Sequence, residues 1–598
     1  MAVSRAAIDQ TAKGPSWPVW GIGLFLVLML GSKAADIFGG RLPDNDDLLR
    51  MQQVRDLIAG QNWFNVDQAR LLTPEGGNMH WSRLPDIAIG ALIMVFRPFV
   101  GQANAEAFAA IVWPLILLVS ALGAMTVSLR RLGVGPFGQA LGLLFFGVSG
   151  AIYNFWLGRI DHHGLVVVLV LIGFASLLSP QRSQGSAIMA AGCVTAMISV
   201  AIESLPYGAA LIGILGLLWI IRGHEESARL AVFGAALCAF AAIFFVLDAP
   251  GISARRAVCD AYGQSHLAGL VGGGVMLGLI GVFGSGLSGW TTRLAVGAVA
   301  GALTLGLVVL VQPDCLGDPY AEVSDQVKLA WLSAVGEARS LQTLFGADLQ
   351  KAVWQTGFML AGLIASGVLV WQAEPGQRAG RAALLLLMTL SLAATVWQVR
   401  GVTFSHLFAA MACGGVVGLL AQHWWDKRGA GPALALCLAA FLGSPIGWKQ
   451  MTAPLPTTTS ATAGDKAYKV LCTEPAAYQG LDQFEGLNVF TPIDLGMPVL
   501  SRSEHNVFAG PYHRNVQGID RVTDVFMGPP DTARAKMLAI GADHVLYCQG
   551  LNETARYARL RPDGFAAQME SGAVPNWLAP IDGLAETDGV VRLYEIKP

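Results

Sequence analysis

The chain has 598 residues, of which 54% are hydrophobic and only 13% are charged. Soluble globular domains carry about 25% charged residues, so this composition excludes an ordinary soluble protein and predicts a polytopic α-helical membrane protein in contact with membrane lipids. The net charge is −2 and the chain has no basic tract, which excludes nucleic acid as a partner.

A bilayer crossing needs about 20 apolar residues, and thirteen stretches approach or meet this length. In chain order they lie near residues 17–38, 107–127, 137–156, 164–178, 187–201, 207–221, 230–247, 267–283, 294–311, 353–371, 382–397, 402–420 and 432–446. The first is interpreted as a retained span because no small-residue cleavage site follows it. Residues 87–100 are also apolar, but Arg97 and Pro98 favour a re-entrant or interfacial helix over a crossing.

The short loops between these spans differ in positive charge. One set carries ten basic residues: Arg130, Arg131, Arg182, Arg222, Arg229, Arg293, Arg378, Arg381, Lys427 and Arg428. The opposite set carries four: Arg159, Arg255, Arg256 and Arg400. The positive-inside rule places the first set in the cytoplasm. We therefore expect a bacterial inner-membrane protein whose loops 39–106 and 312–352, and whose tail, lie on the outer side.

The tail, residues 449–598, is predicted to be a small periplasmic α/β domain. Strand-like runs lie at residues 469–472, 487–492, 544–548 and 590–596, and a helical pattern covers residues 531–540. Four cysteines lie in polar segments, and an oxidising compartment would make Cys259–Cys315 and Cys472–Cys548 plausible disulfides. The sequence alone does not fix this pairing.

The outer loop that follows the first span contains a cluster of carboxylates. Asp44, Asp46 and Asp47 lie within four residues, close to the predicted membrane boundary. Neighbouring carboxylates repel one another and lose hydration near lipid, so a divalent cation or a basic partner such as Arg50 would stabilise them. A solvated acidic loop is an equally good interpretation of this stretch by itself.

A second acidic motif, at the outer end of the third span, contains Asp161, His162 and His163. Carboxylate oxygens suit Mg²⁺ or Mn²⁺, and imidazole suits transition metals. The alternative is a helix N-cap, in which Asp161 accepts hydrogen bonds from the backbone of the next span. The charge asymmetry places both acidic motifs on one face, which favours a shared metal site.

Further candidates lie on the same predicted face. Glu337 occurs in a loop of about 40 residues, and structureless loops of that length are generally functional. Arg400 stands at the end of a span, where it could pair with phosphate or extend to the interface. Glu203 stands between two spans as a buried ionisable group or a helix cap.

Two polar and aromatic clusters complete the candidates. His80, Trp81 and Arg83 suit the headgroup level, either as substrate contacts or as an interfacial anchor. Arg50 and Glu203 are further candidates for substrate contact. Residues 504–514 in the tail are a possible acceptor-side surface, with a turn or domain core as the alternative. Acidic groups, a metal and an outward arginine suit one chemistry in particular, in which a cation neutralises the phosphate leaving group of a lipid-linked sugar.

These motifs resemble those of the GT-C superfamily of membrane glycosyltransferases, and the resemblance is greatest to the oligosaccharyltransferase catalytic subunit and its bacterial relatives. That family has an outer-loop motif Asp-x-x-x-x-x-Arg, then His-Trp…Leu-x-Asp, then Gly-x-x-Asp-His-His, and a Glu in a late outer loop. The matching residues here are Asp44 and Arg50, then His80, Trp81, Leu84 and Asp86, then Gly158 and Asp161 to His163, and Glu337.

The resemblance implies a GT-C transmembrane domain over residues 1–448 and a sugar transferase that uses a polyprenyl-phosphate-linked donor and an extracytoplasmic acceptor. It implies that Asp44 and Asp161 hold a divalent metal, Mg or Mn, with Asp46 or Asp47 as alternatives to Asp44. Glu337 would help bind the acceptor or the metal. Arg400 would contact the donor phosphate.

The chain also departs from the family pattern. The oligosaccharyltransferase tail carries a Trp-Trp-Asp signature, whereas here Trp424, Trp425 and Asp426 fall in a predicted cytoplasmic loop. A lipid or glycan acceptor is therefore at least as well supported as a protein. No separate nucleophile is visible, which favours inversion at the sugar. The alternatives are a transporter or flippase for a lipid-linked glycan, or a non-catalytic envelope assembly protein.

Overall fold

The computed structural model describes residues 17–72, 75–248, 258–317, 323–456, 472–582, 584 and 590–597. A helical part comes first in the chain, and a small domain with one five-stranded sheet follows it. Two sequence predictions fall outside these ranges. They are the predicted strand 469–472, of which only Cys472 is described, and the loop charges Arg255 and Arg256.

Each of the thirteen predicted spans overlaps an α-helix. In chain order these helices are Trp17–Gly31, Gln102–Arg131, Pro136–Gly147, His163–Leu177, Gln184–Val200, Leu205–Arg222, Ser227–Asp248, Gln264–Phe283, Trp290–Val311, Leu349–Trp371, Pro375–Trp397, Val402–Lys427 and Ala430–Leu442. Within the described ranges, eight helical segments are long and apolar enough to cross a membrane, and a bent pair over residues 430–452 would be a ninth. This establishes an integral membrane protein, while thirteen crossings stay a prediction.

One predicted span is interrupted. The helix Pro136–Gly147 ends early, and a 3-10 helix, Gly150–Phe155, follows it. The Ser149 hydroxyl accepts a hydrogen bond from the Ala151 N–H, and this contact caps the start of the 3-10 helix. The interruption turns the chain toward the second acidic motif.

Shorter helices build the outer loops. Asn45–Ile58 carries the first acidic motif, and Leu84–Val100 is the amphipathic helix that the sequence predicted not to cross. In the second outer loop, Asp325–Ala330 and Leu341–Ala347 are short helices, each capped by a preceding serine. Ser324 and Ser340 accept hydrogen bonds from backbone N–H groups in the first turns.

Close helix packing in the membrane part depends on glycine. Gly138 and Gly142 on the helix Pro136–Gly147 face Gly414 and Gly418 on Val402–Lys427. A Cβ added at Gly414 would lie 2.5 Å from the backbone nitrogen of Gly142. Small residues spaced four apart let two helix backbones approach closely. Because lipid is as apolar as the side chains, helices in a membrane associate through van der Waals contact instead of the hydrophobic effect.

We expect Gly414→Ala to lower the stability of the full chain in detergent by about 1–3 kcal/mol, because the backbones must separate to admit the methyl group. Gly367→Ala is the matched control. It also lies within a helix, but its Cβ would have no atom within 4 Å, so the gain in helix propensity should leave stability equal or slightly higher. Thermal unfolding measures both variants, and equal midpoints would contradict this account of the packing.

The C-terminal sheet contains β1 (Asn488–Phe490), β2 (Asn506–Val507), β3 (His544–Cys548), β4 (Leu578–Ile581) and β5 (Val591–Ile596). Its order is β2-β1-β3-β5-β4, with β1 parallel to β2 and β3, and β5 antiparallel to β3 and β4. Helices cover it: Ile493–Arg502, Val516–Phe526, Pro530–Ala539, Asn552–Leu560 and Phe565–Glu570. The predicted small α/β fold and its strands at 544–548 and 590–596 agree with this sheet.

The sheet domain shares its core with the outer loops. Leu49, Met79 and Trp81 from the first loop are buried in one cluster with Leu495 and Val507. The second outer loop adds Val327 and Trp331 to a cluster on the other side of the sheet. The predicted domain boundary at residue 449 therefore divides the chain, but residues on both sides of it share the hydrophobic cores of the sheet domain.

Two disulfides tie this region together. Cys259 is bonded to Cys315, and Cys472 to Cys548. Both are the pairs that the sequence offered as plausible. The other four cysteines, Cys193, Cys238, Cys413 and Cys437, are free.

Candidate functional site

The two acidic motifs are in direct contact. Asp47 is fully buried, and its Oδ1 accepts hydrogen bonds from the N–H groups of Ile160 and Asp161 at 2.8 and 3.1 Å. The segment before the helix His163–Leu177 is therefore fixed against the first turn of Asn45–Ile58. The predicted convergence of the motifs at one end of the bundle is confirmed.

Arg159 provides the counter-charge in this cluster. Its Nη1 donates to Asp44 Oδ2 at 3.0 Å and to Asp47 Oδ2 at 3.2 Å, and its Nη2 pairs with Asp161. The Arg159 side chain is only 1% exposed, so these contacts act at low dielectric and hold three carboxylates close together. No motif in the sequence indicated this role, since Arg159 counted only as a loop charge.

Asp46, Asp161 and His163 form a group that could hold a metal ion. Their ligand atoms all lie within 4.8 Å of one another. Burial and the negative charge of Asp44 raise the pKa of Asp46 to about 7. A cation at this point would favour the charged carboxylate, so the residues fit a divalent metal with oxygen and nitrogen ligands.

Asp44 is not part of this group. It precedes the helix in an extended conformation, with φ −144° and ψ 161°, and it pairs with Arg159. The sequence predicted that Asp44 is a catalytic metal ligand and kept Asp46 and Asp47 as alternatives. Of the three, the structure brings Asp46 to Asp161 and His163.

Glu203 connects the metal group to Arg400. Its Oε1 lies 2.7 Å from His163 Nδ1, and its Oε2 accepts a hydrogen bond from Arg400 Nη1 at 2.6 Å. Burial by itself would lower the pKa of His163, but the Glu203 carboxylate outweighs it and raises that pKa to about 10. Burial and His163 together lower the pKa of His162 to about 3, so the two neighbouring imidazoles differ in charge.

Glu337 lies beside the same cluster. The Arg400 N–H donates to the Glu337 carbonyl at 3.1 Å, and the Val399 N–H donates to the Arg339 carbonyl at 2.8 Å. The Glu337 side chain is exposed, and its charge contributes to the raised pKa of His163. Its predicted role with the acceptor or the metal stays a prediction.

A cavity of about 130 Å³ opens next to the metal group. Five of the predicted site residues line it, together with residues from the tail and from the segment before the helix Gln264–Phe283. The lining includes His80, Trp81, His162, Glu203, Asp260, Arg400 and His513. His80, Asp260 and His513 themselves form another group with metal-ligand spacing.

Arg50 and Arg83, predicted as substrate contacts, lie elsewhere. Both side chains are buried, and both pair with Asp86, at 2.8 and 3.1 Å. Arg50 also stacks on Trp81, with its Cζ 4.7 Å from the ring centroid. The sequence could not distinguish a cation reserved for a ligand from one that satisfies a buried carboxylate.

His513 of the tail lines the cavity, and the sequence predicted the contacts around it only in part. Arg514 forms two hydrogen bonds with Asp260, both at 2.7 Å, and the His513 ring lies 2.8 Å from the same carboxylate. The Tyr512 hydroxyl donates to the Asn45 carbonyl at 3.0 Å. These three residues belong to the segment 504–514 that the sequence suggested, whereas no motif indicated Asp260.

The fold is similar to that of a solved membrane oligosaccharyltransferase. The oligosaccharyltransferase AglB of Archaeoglobus fulgidus, in complex with an inhibitory peptide and a dolichol-phosphate, matches with a TM-score of 0.65 and 14% identity over 94% of this chain and 73% of that chain. The A. fulgidus enzyme with Zn and sulfate matches with a TM-score of 0.62 and 13% identity, over 93% and 71%. The mycobacterial arabinofuranosyltransferase AftD has a TM-score of 0.40 and 13% identity, over 96% and 40%.

No protein-family profile matches the chain, and no curated protein matches it by sequence. The resemblance to the oligosaccharyltransferase is therefore seen in the fold, although the overall sequence identity is only 14%. The chain has the GT-C fold of the oligosaccharyltransferase, as its motifs predicted.

Proposed function

We propose that this protein is a glycosyltransferase that moves a sugar or oligosaccharide from a polyprenyl-phosphate-linked donor to an extracytoplasmic acceptor. The observation that carries the proposal is the group Asp46, Asp161 and His163, whose members come from motifs far apart in the chain. This group adjoins a cavity that is lined by Arg400 and by the imidazoles of His80 and His162. A divalent metal held by the group, beside a cavity lined by an arginine, suits the departure of a phosphate.

The residues around the cavity have distinct roles in this proposal. Arg400 and the imidazoles of His80 and His162 contact the donor phosphate, and Trp81 packs against the donor. Glu203 holds Arg400 and His163 in place through its two oxygens. A divalent cation bound by Asp46, Asp161 and His163 would neutralise charge on the leaving phosphate.

The reaction is a displacement at the anomeric carbon. The bond from that carbon to the phosphate oxygen breaks, a bond to the acceptor atom forms, and the acceptor proton passes to a carboxylate of the site. Glu337, whose side chain is exposed, would orient the acceptor. Direct displacement with no covalent enzyme intermediate inverts the configuration of the sugar.

The neighbouring structures support this reading of the site. The A. fulgidus enzyme has been solved with a dolichol-phosphate, and separately with a tethered acceptor peptide containing an NVT sequon. It has also been solved with Zn and sulfate. For the present chain we propose Mg²⁺ or Mn²⁺ as the metal, a lipid, glycan or protein as the acceptor, and a periplasmic tail in a bacterial inner membrane.

The proposal predicts a metal-dependent loss of donor. The purified full chain, incubated with polyprenyl-phosphate-linked sugars extracted from bacterial membranes and with envelope acceptors, should release polyprenyl phosphate, which mass spectrometry can detect. EDTA should stop the release, and Mg²⁺ or Mn²⁺ should restore it. A flippase or an assembly protein would leave the donor intact under all conditions, and that result would refute the proposal.

A further inference from the structure

A second polar cavity lies at the opposite end of the helix bundle. The helix His163–Leu177 begins at the candidate site and runs for 15 residues to this cavity, a distance of about 22 Å at 1.5 Å per residue. The cavity has a volume of about 210 Å³. Nothing in the proposed reaction uses it.

Four arginines line this cavity. Arg131 ends one helix, Arg182 lies in the turn before Gln184–Val200, Arg222 ends Leu205–Arg222, and Arg229 lies in the first turn of Ser227–Asp248. They come from separate elements, so the fold gathers them at one place. The first turn of the helix Pro375–Trp397, with Gly376 and Gln377, completes the polar wall, and its N-terminal end adds partial positive charge.

Two of the arginines form hydrogen bonds with backbone carbonyls. Arg229 Nη2 donates to the carbonyls of Ser176 and Leu177 at 3.0 and 2.8 Å, and Arg131 Nη1 donates to the Ala175 carbonyl at 2.5 Å. These bonds satisfy the carbonyls at the end of the helix His163–Leu177. They also fix both guanidinium groups at the cavity wall.

The other two arginines remain accessible. The Arg182 and Arg222 side chains are 34% and 25% exposed, and both pair with Glu226, which is fully buried behind them. Arg182 also pairs with Glu225. Four guanidinium groups thus face two carboxylates, which leaves an excess of two positive charges around the cavity.

The backbone at Arg182 has an unusual conformation. Its φ is +47°, in the left-handed region that residues with a Cβ seldom adopt. Such a conformation persists where the surroundings enforce it, and it is concentrated at ligand-binding positions. The inner wall of the cavity is apolar, formed by Leu178, Ile214 and Leu218.

We propose that this arginine cavity binds a phosphate group. Guanidinium groups from several helices match the oxygens of a phosphate in number and geometry. A basic pocket between membrane helices suits the headgroup of an anionic lipid, whose chains would follow the apolar wall. Free inorganic phosphate presents the same oxygens, and experiment separates the two sources.

Gly376→Glu gives a direct test. A Cβ at Gly376 would have no atom within 4 Å, and a carboxylate in the first turn of a helix is favourable, so the variant should fold. It places a negative charge in the cavity and should weaken anion binding at least tenfold. Gly376→Gln is the neutral control of the same size and should bind as the wild type does.

Arg182→Gln tests the basic wall from the other side, with Arg428→Gln as its matched control. Both residues have positive φ, 47° and 49°, but Arg428 does not line the cavity and instead stacks on Trp425. Loss of binding is expected for the first variant only.

Native mass spectrometry of the full chain should show retention of dioleoylphosphatidic acid over dioleoylphosphatidylcholine in the wild type, with loss in Gly376→Glu. Inorganic phosphate, titrated against chloride at matched ionic strength in thermal unfolding, is the second arm. If phosphate stabilises the wild type and not Gly376→Glu, with no lipid preference, the ligand is free phosphate. If Gly376→Glu changes neither readout, the cavity binds no phosphate and the proposal is overturned. Both arms are independent of glycosyl transfer.

Discussion

Asp161→Asn and Asp46→Asn should each reduce sugar transfer by about a thousandfold, on the order of 4 kcal/mol of lost transition-state stabilisation. Each substitution removes one negative ligand from the group with His163 while keeping the size of the side chain. The Asp161 amide could still accept the hydrogen bond from the His163 N–H, now 3.0 Å long, so the local fold should persist. Release of polyprenyl phosphate from the lipid-linked donor measures the effect.

Asp482→Asn is the control, since Asp482 is an exposed carboxylate in the tail. It should retain full activity. Asp44→Ala tests the choice between the aspartates of the first motif. Because Asp44 pairs with Arg159 outside the metal group, we expect it to retain more activity than Asp46→Asn. Full activity in both Asp161→Asn and Asp46→Asn would remove the proposed catalytic centre.

The second large effect concerns stability. Asp86→Ala should lower the free energy of unfolding by about 3–5 kcal/mol, because it leaves the guanidinium groups of Arg50 and Arg83 buried without their shared carboxylate. The Asp86 side chain is fully buried, so water cannot replace it. Thermal unfolding of the full chain in detergent gives the measurement.

Glu75→Ala is the matched control for this prediction. Glu75 pairs with Arg521 at 2.6 Å, but its side chain is 44% exposed, and surface pairs contribute about 0–1 kcal/mol. A small shift in the control beside a large loss in Asp86→Ala is the expected pattern. Comparable shifts in the two variants would show that the buried cluster is not the structural element described here.

The sequence predicted that the acidic motifs lie together, because the apolar spans and the charges of the loops assign each loop to one side of the membrane. It could not choose among Asp44, Asp46 and Asp47, because the choice depends on where the helix begins. The helix starts at Asn45, so successive residues point about 100° apart. Asp47 then faces the buried Ile160–Asp161 backbone and Asp46 faces His163, a difference that composition does not encode.

In the sheet domain, the predicted strands 544–548 and 590–596 are β-rich runs that pair with each other, for example Leu546 with Leu593. The missed strands are weak in sequence: β2 has two residues, and β4 contains Pro580. Long-range partners such as Asp260 and Arg514 also escaped prediction. A salt bridge between segments about 250 residues apart leaves no local pattern.

The packing of the first loop against the tail sets an order of events during synthesis. Arg70 donates to the carbonyls of Ser503 and His505, more than 430 residues later in the chain. The ribosome therefore completes every helix of the bundle before the first loop acquires its partner. Until then Leu49 and Met79 have no apolar cover from the tail, so a chain halted before residue 507 should be recognisable to quality-control proteases by that loop.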